Sequence, residues 1–176
     1  MGKLTFILGG VRAGKSRLAL ELAKKSGKRT TFIATALPID SEMKERIKEH
    51  KSSRPNNWQT IEITKNLDKE IGRQRNKMVL IDCLTIYVSH LVNLSEDKIL
   101  NHIKKTIEAI KKSNSEFIVV SNEVGAGVHP NNKLGRKFRD VLGKANQMFA
   151  RASDQFYVMF AGIPVDIKKA WKKSKR

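Results

Sequence analysis

Five short apolar runs punctuate the chain: Leu4-Thr5-Phe6-Ile7-Leu8, Thr31-Phe32-Ile33-Ala34, Met78-Val79-Leu80-Ile81, Phe117-Ile118-Val119-Val120 and Phe156-Tyr157-Val158-Met159-Phe160. Each is continuous rather than alternating, the pattern of a strand covered on both faces, as in a parallel sheet. Between them, helical patterns fall at roughly 16–25, 41–50, 84–94, 96–112 and 134–153. In the fourth, Ile99, Ile103, Ile107 and Ile110 make a core-facing stripe with lysines opposite. Residues 52–57, with Arg54-Pro55, read as a loop. There are no repeats, low-complexity tracts or linkers, so 176 residues fit one α/β domain over positions 1–176. Alternating strands and helices predict an open, doubly wound, mostly parallel sheet with helices on both faces. Ligands then gather at the carboxyl ends of the strands.

The first run leads into Gly9-Gly10-Val11-Arg12-Ala13-Gly14-Lys15-Ser16, a complete G-x-x-x-x-G-K-[ST] phosphate loop between a strand and a helix. Glycines let successive backbone N–H groups turn inward on a triphosphate, and the following helix adds its positive end. Lys15 is then in reach of the β- and γ-phosphates, and the Ser16 hydroxyl of Mg²⁺. The pattern predicts a chain that binds a nucleoside triphosphate.

Other candidates fall on the same rim. Asp82 ends the third run, where an acid approaches magnesium directly or through water, or else caps the helix beginning at Leu84. The fourth run continues into Ser121-Asn122-Glu123-Val124-Gly125-Ala126-Gly127-Val128. There Glu123 is a candidate general base or magnesium organiser, with a structural role equally open. Ala34-Thr35-Ala36 closes the second run. A helix opened by Asp40 or Ser41 follows, with Met43 and Ile47 on one stripe and Glu42, Arg46 and His50 on another. His50, followed by Lys51 and Arg54, is either surface decoration or a nucleophile for an α-phosphate, with the cations stabilising developing charge.

Composition narrows the setting. Cys83 is the single cysteine, which excludes an internal disulfide and a multi-cysteine zinc site. No apolar run approaches the ~20 residues of a membrane span, and the first strand begins too early to leave room for a signal peptide. A reducing cytoplasm is the expected compartment. The 35 Lys and Arg exceed the 17 acids for a net charge of +18. Most lysines are scattered over helix faces, as at Lys98 and Lys104-Lys105, and the real cluster is the tail from Lys168 to Arg176. Aromatic residues are 6% and form no ladder for stacking bases, so no nucleic-acid partner is expected. A basic phosphate-loop ATPase acting on nucleic acid stays open as the second reading.

Taken in order, these motifs resemble the adenosylcobinamide kinase/adenosylcobinamide-phosphate guanylyltransferase family of cobalamin biosynthesis. The resemblance spans nearly the whole chain. It runs from the phosphate loop through Phe32-Ile33-Ala34-Thr35-Ala36, Glu42-Met43, Arg46-Ile47-x-x-His50, Arg54-Pro55 and Trp58-x-Thr60-x-Glu62. It continues with Leu80-Ile81-Asp82-Cys83-Leu84-Thr85, Ser121 to Gly127, Leu134-Gly135-Arg136-x-Phe138-Arg139-Asp140, Asn146-Gln147 and Gly162-Ile163-Pro164. It implies a RecA-like fold, commonly a homotrimer with active sites between subunits. It implies two reactions: phosphorylation of adenosylcobinamide by ATP or GTP, then GMP transfer from GTP to adenosylcobinamide phosphate. The second passes through a guanylyl-histidine, here at His50, and releases pyrophosphate. Nucleotide contacts carry over to Gly9, Gly10, Val11, Arg12, Ala13, Gly14, Lys15 and Ser16, to Ala34, Thr35 and Ala36, to Lys51, Ser52, Ser53 and Arg54, and to Glu62 and Asp82. Ser16 and Asp82 are the expected magnesium positions. Ala13 departs from the serine usual before Gly14, and the basic tail is an addition. A chain retaining only the kinase or only the transferase half remains the third reading.

Overall fold

The computed structural model describes residues 1–127 and 129–174, and only the backbone of Arg46. Val128 of the fourth run's extension, and Lys175 and Arg176 of the basic tail, lie outside the described residues. The elements are β1 (Lys3–Gly9), α1 (Lys15–Lys25), β2 (Thr30–Ala34), α2 (Ser41–Ser52), β3 (Gln59–Glu62), α3 (Leu67–Arg73) and β4 (Met78–Asp82). Then come α4 (Leu84–Leu91), α5 (Glu96–Lys112), β5 (Glu116–Asn122), α6 (Lys133–Ala152), β6 (Gln155–Phe160), β7 (Ile163–Asp166) and α7 (Ile167–Lys173). They form a seven-stranded sheet in the order β3-β2-β4-β5-β1-β6-β7, with β7 alone antiparallel to its neighbour. The mostly parallel sheet expected from the continuous apolar runs is therefore the one observed.

Alternate residues of each run serve opposite faces, as the strand period requires. Leu4, Phe6, Ile33, Val79, Ile81, Phe117 and Val119 join one core with side chains of α3, α4, α5 and α6. Ile7, Phe32, Leu80, Ile118 and Val120 join the other, where Ala19 and Ala23 let α1 lie close to the sheet. The isoleucine stripe of α5 behaves as expected, with Ile99, Ile103 and Ile110 fully buried and Ile107 packed against them.

Two strands and two short helices escape the hydrophobic pattern. β3 is a four-residue edge strand, and β7 is an exposed edge carrying Pro164, which edge positions tolerate. Parallel register sets the rim. Glu62, Ala34 and Asp82 stand level across β3, β2 and β4, and Gly9 stands level with Asn122 across β1 and β5. Gly9 is required by packing, because a Cβ there would fall 2.7 Å from the Met159 carbonyl oxygen.

Cys83, just past β4, is buried. Burial, with the nearby Asp82 carboxylate adding to it, pushes its thiol from an ordinary 9.0 up to about 12. The folded chain thus keeps a proton that the unfolded chain releases near pH 9. Stability linked to Cys83 is complete below about pH 9 and is lost as pH rises toward about 12.

Three outcomes follow from this packing. Ile103→Ala should destabilise the chain by about 2–5 kcal/mol, and exposed Lys105→Ala by under about 0.5 kcal/mol, measured by urea unfolding. At pH 8 Cys83 should react with a thiol reagent far more slowly in the folded chain than in urea. Between pH 9 and 11 the wild type should lose more stability than Cys83→Ala.

Candidate active site

The phosphate loop turns between β1 and α1. Gly14 caps α1 with φ 89°, a left-handed conformation that suits glycine, and Arg12 is also left-handed at φ 56°. No side chain caps this helix, so its first-turn N–H groups face the loop. Lys15 is buried to 8% exposure and donates to the Gly10 carbonyl at 2.6 Å. Ser16 Oγ donates to Asp82 Oδ2 at 2.9 Å. The cap of α4 is Cys83, without a side-chain bond, so Asp82 turns toward the loop instead of capping the helix.

The histidine helix reaches the same carboxylate. Asp40 opens α2 by accepting from the Met43 N–H at 2.7 Å. Two further turns bring His50 near the helix end, where its Nδ1 stands 3.7 Å from Asp82 Oδ2. The His50 side chain is 38% exposed and the Asp82 side chain 14%. At that separation the two attract through charge and dipole, and a small shift would make a hydrogen bond. Met43 and Ile47 line the cleft beside His50, so the apolar stripe of α2 forms a wall of the site.

That cleft has a volume of about 630 Å³. Its lining includes Val11, Arg12, Ala13, Gly14, Lys15, Ser16, Ala34, Ala36, His50, Lys51, Arg54, Glu62 and Asp82 from the sequence candidates. Five of the nucleotide-contact candidates sit elsewhere. Gly9 and Gly10 open the loop outside the cleft lining, and the Gly10 carbonyl accepts from Lys15 Nζ. Thr35 is fully buried, its hydroxyl accepting from the Cys83 N–H and donating to the Cys83 carbonyl, both at 2.8 Å. His90 Nε2 lies 2.8 Å from the Thr35 carbonyl, so it donates there and anchors the segment. Ser52 and Ser53 hydroxyls donate to the Glu49 and His50 carbonyls at the end of α2. Ser53 also borders a smaller recess behind His50.

At the far wall, the Arg54 guanidinium lies 3.3 Å over the Phe32 ring, a cation–π contact. Its Nε and Nη1 are buried with no hydrogen-bond partner among the described residues. Burial lowers its pKa, while Asp82 and Glu62 pull it back up. Lys51 Nζ donates to Glu62 Oε1 at 3.2 Å. Glu123 stays out of the cleft lining, because its carboxylate accepts from the Gly125 N–H at 2.6 Å and closes its own turn. The donor set of Ser16 and Asp82, a hydroxyl and a carboxylate beside a phosphate cradle, is of the hard-oxygen kind magnesium takes with nucleotide phosphates.

Phe32 and Asn122 line the cleft without having been singled out from the sequence. Phe32 reads as core in an apolar run, and only Arg54 folding over it makes it a wall. Asn122 carries a signal, since it closes a run at the ligand rim.

Among solved structures the chain is similar to an ATPase of a type III secretion system. The TM-score is 0.61 at 10% identity, over 98% of this chain and 54% of that one. It is also similar to the RadB recombinase, with TM-score 0.53 at 16% identity over 89% of this chain and 73% of that one. These likenesses establish the RecA-like phosphate-loop fold. In sequence it is 34% identical to the bifunctional adenosylcobalamin biosynthesis protein CobU of Escherichia coli K12, over 94% of this chain and 99% of that protein. It is 37% identical to the bifunctional adenosylcobalamin biosynthesis protein CobP of Pseudomonas aeruginosa, over 92% and 95%. A profile of the cobinamide kinase / cobinamide phosphate guanyltransferase family matches residues 5–167. The chain belongs to that family.

Proposed function

We propose that this chain carries out both transfers of its family in adenosylcobalamin biosynthesis. In the first, the aminopropanol hydroxyl of adenosylcobinamide attacks the γ-phosphate of ATP or GTP. The β–γ bridging bond breaks, the nucleoside diphosphate leaves and the hydroxyl proton passes to solvent. In the second, His50 attacks the α-phosphate of GTP, a P–N bond forms and pyrophosphate leaves. An oxygen of adenosylcobinamide phosphate then displaces His50, giving adenosylcobinamide-GDP and a free imidazole.

The observation that carries this reading is the position of His50. Its Nδ1 is 3.7 Å from a carboxylate that also holds the phosphate-loop hydroxyl of Ser16. With a proton on Nδ1 facing Asp82, the Nε2 lone pair is the one free to attack. Lys15 and the loop amides from Gly9 to Ser16 supply fixed positive charge for the triphosphate. Ala34 through Ala36, Lys51 through Arg54 and Glu62 hold the rest of the nucleotide, and the buried Arg54 donors support a polar ligand there. Ser16 and Asp82 would hold Mg²⁺, which supplies charge neutralisation for the phosphates. Displacement in line at phosphorus requires the acceptor phosphate to enter where pyrophosphate left, so the loop would serve the corrinoid phosphate too. The assembly implied is a cytoplasmic homotrimer, and exposed Phe160, Ile163 and Trp171 support self-association.

Incubation with α-³²P-GTP and magnesium should label the chain through an acid-labile bond. His50→Ala should lower that label at least ~100-fold while kinase turnover stays within ~tenfold. Full labelling of His50→Ala would contradict the reading. Lys15→Ala should reduce both transfers by ~100-fold or more, measured with adenosylcobinamide and its phosphate in separate assays.

A further inference from the structure

The carboxyl end of β5 is fixed with more hydrogen bonds than a strand end needs. The Asn122 N–H donates to Thr85 Oγ1 at 2.7 Å, and its carbonyl accepts from Asn146 Nδ2 at 3.1 Å. Asn146 Oδ1 in turn accepts from Ser121 Oγ at 2.7 Å, and Ser121 Oγ lies 3.2 Å from Thr85 Oγ1. Thr85, Ser121 and Asn146 are all buried polar residues, contributed by α4, β5 and α6. On the other side, the Glu123 N–H donates to the Gly9 carbonyl at 3.0 Å, and its carboxylate closes the next turn. Buried polar groups are costly unless paired, and this set is paired around one residue.

That residue lines the cleft with Lys15, Ser16 and Asp82, and the strand period puts it on the same sheet face as Val120, which lines the cleft too. Among the described residues its carboxamide makes no hydrogen bond, whereas both of its main-chain polar groups do. The sheet order puts β5 between β4 and β1, so Asn122 stands on the phosphate-loop flank of Asp82. The histidine helix enters from β2, on the opposite flank of β4. A carboxamide offers donors for a phosphoryl oxygen and an acceptor for a hydroxyl, and it is neutral throughout the working pH range.

We propose that Asn122 is a further catalytic residue of the kinase half-reaction. Its carboxamide hydrogen-bonds the transferring γ-phosphoryl group and the attacking hydroxyl, and Thr85 and Asn146 are the positioning residues that aim it. The bonds made and broken are those given above for phosphoryl transfer, and Asn122 exchanges no proton. This assignment rests on the bifunctional reading of the site, and it divides the cleft between two chemistries. His50 serves the α-phosphate from one flank, and Asn122 the γ-phosphate from the other.

The test pairs two assays on the full-length protein. One is steady-state phosphorylation of adenosylcobinamide by ATP, and the other is the rate of His50 labelling by α-³²P-GTP. Asn122→Ala should lower kinase kcat ~100-fold, the scale for one donor lost from a transition state, and slow labelling by less than ~tenfold. Asn146→Ala, acting through Asn122, should lower kinase kcat by ~tenfold with little change in the KM for ATP. Labelling reports that the variants are folded. Should Asn122→Ala lose labelling altogether, Asn122→Ser keeps a small polar group at the strand end and carries the same expectation. Kinase kcat within ~threefold of wild type, or equal losses in both assays, would overturn the role of Asn122. Absence of both activities in the wild type would instead overturn the functional reading beneath it.

Discussion

The carboxylate of Asp82 receives the Ser16 hydroxyl at 2.9 Å and stands 3.7 Å from His50 Nδ1, so three distant segments converge on one side chain. Its position depends on a single constraint: parallel strands in register all finish at one edge. β4 is central, with β2 on one side and β5 on the other, and a residue at its carboxyl end is in reach of everything at the rim. The same placement leaves Asp82 largely desolvated, which makes its surroundings matter. A carboxylate there requires donors or cations, and Ser16, His50, Arg54 and Lys15 are the groups arrayed near it. Moving it by one residue would turn it to the opposite face of the sheet, away from the loop.

The site divides into a rigid half and an approachable half. The phosphate loop, Thr35 and Asn122 are held by hydrogen bonds whose partners, Lys15, Cys83, Thr85 and Asn146, are buried, with His90 half-buried. Thr35 is clamped by Cys83 and His90, and Asn122 by Thr85 and Asn146. The histidine helix is different. Its residues other than Arg46 are half-buried or exposed, Met43 and Ile47 line the cleft, and His50 reaches the sheet at Asp82. In the proposed role, a nucleophile that attacks one substrate and is then displaced by another gains from being carried on such an element, because the approach to phosphorus must be adjusted at each step. The triphosphate cradle gains from the reverse, since fixed dipoles need no reorganisation as charge develops.

Much of this was legible from residue order. The phosphate loop, the five continuous apolar runs and the isoleucine stripe of α5 each carry one physical requirement in a local window, and each is found where the pattern puts it. β3 and β7 were hidden because an edge strand buries little, so Gln59-Thr60-Ile61-Glu62 and Ile163-Pro164-Val165-Asp166 show no continuous apolar run. The local pattern left Asp82 between cap and ligand, and only the tertiary contact with Ser16 decides for the loop. Glu123 drew attention as an acid at the rim, yet a turn two residues long uses its carboxylate. Asn122, beside it, closes a run at the rim, but the side chains that fix its main chain lie 24 and 37 residues away, outside any local window. Spacing alone left His50 between surface decoration and a nucleophile, the run of motifs around it favoured the second, and the fold brings it to 3.7 Å from Asp82.

If one carboxylate aligns both the cradle and the nucleophile, the attacking nitrogen is determined by which ring position faces Asp82. The most direct measurement is a crystal structure of the protein trapped with GMP after incubation with GTP and magnesium. The account requires phosphorus bonded to His50 Nε2, with Nδ1 within hydrogen-bond distance of the Asp82 carboxylate. Phosphorus on Nδ1, or on a residue other than His50, would contradict it.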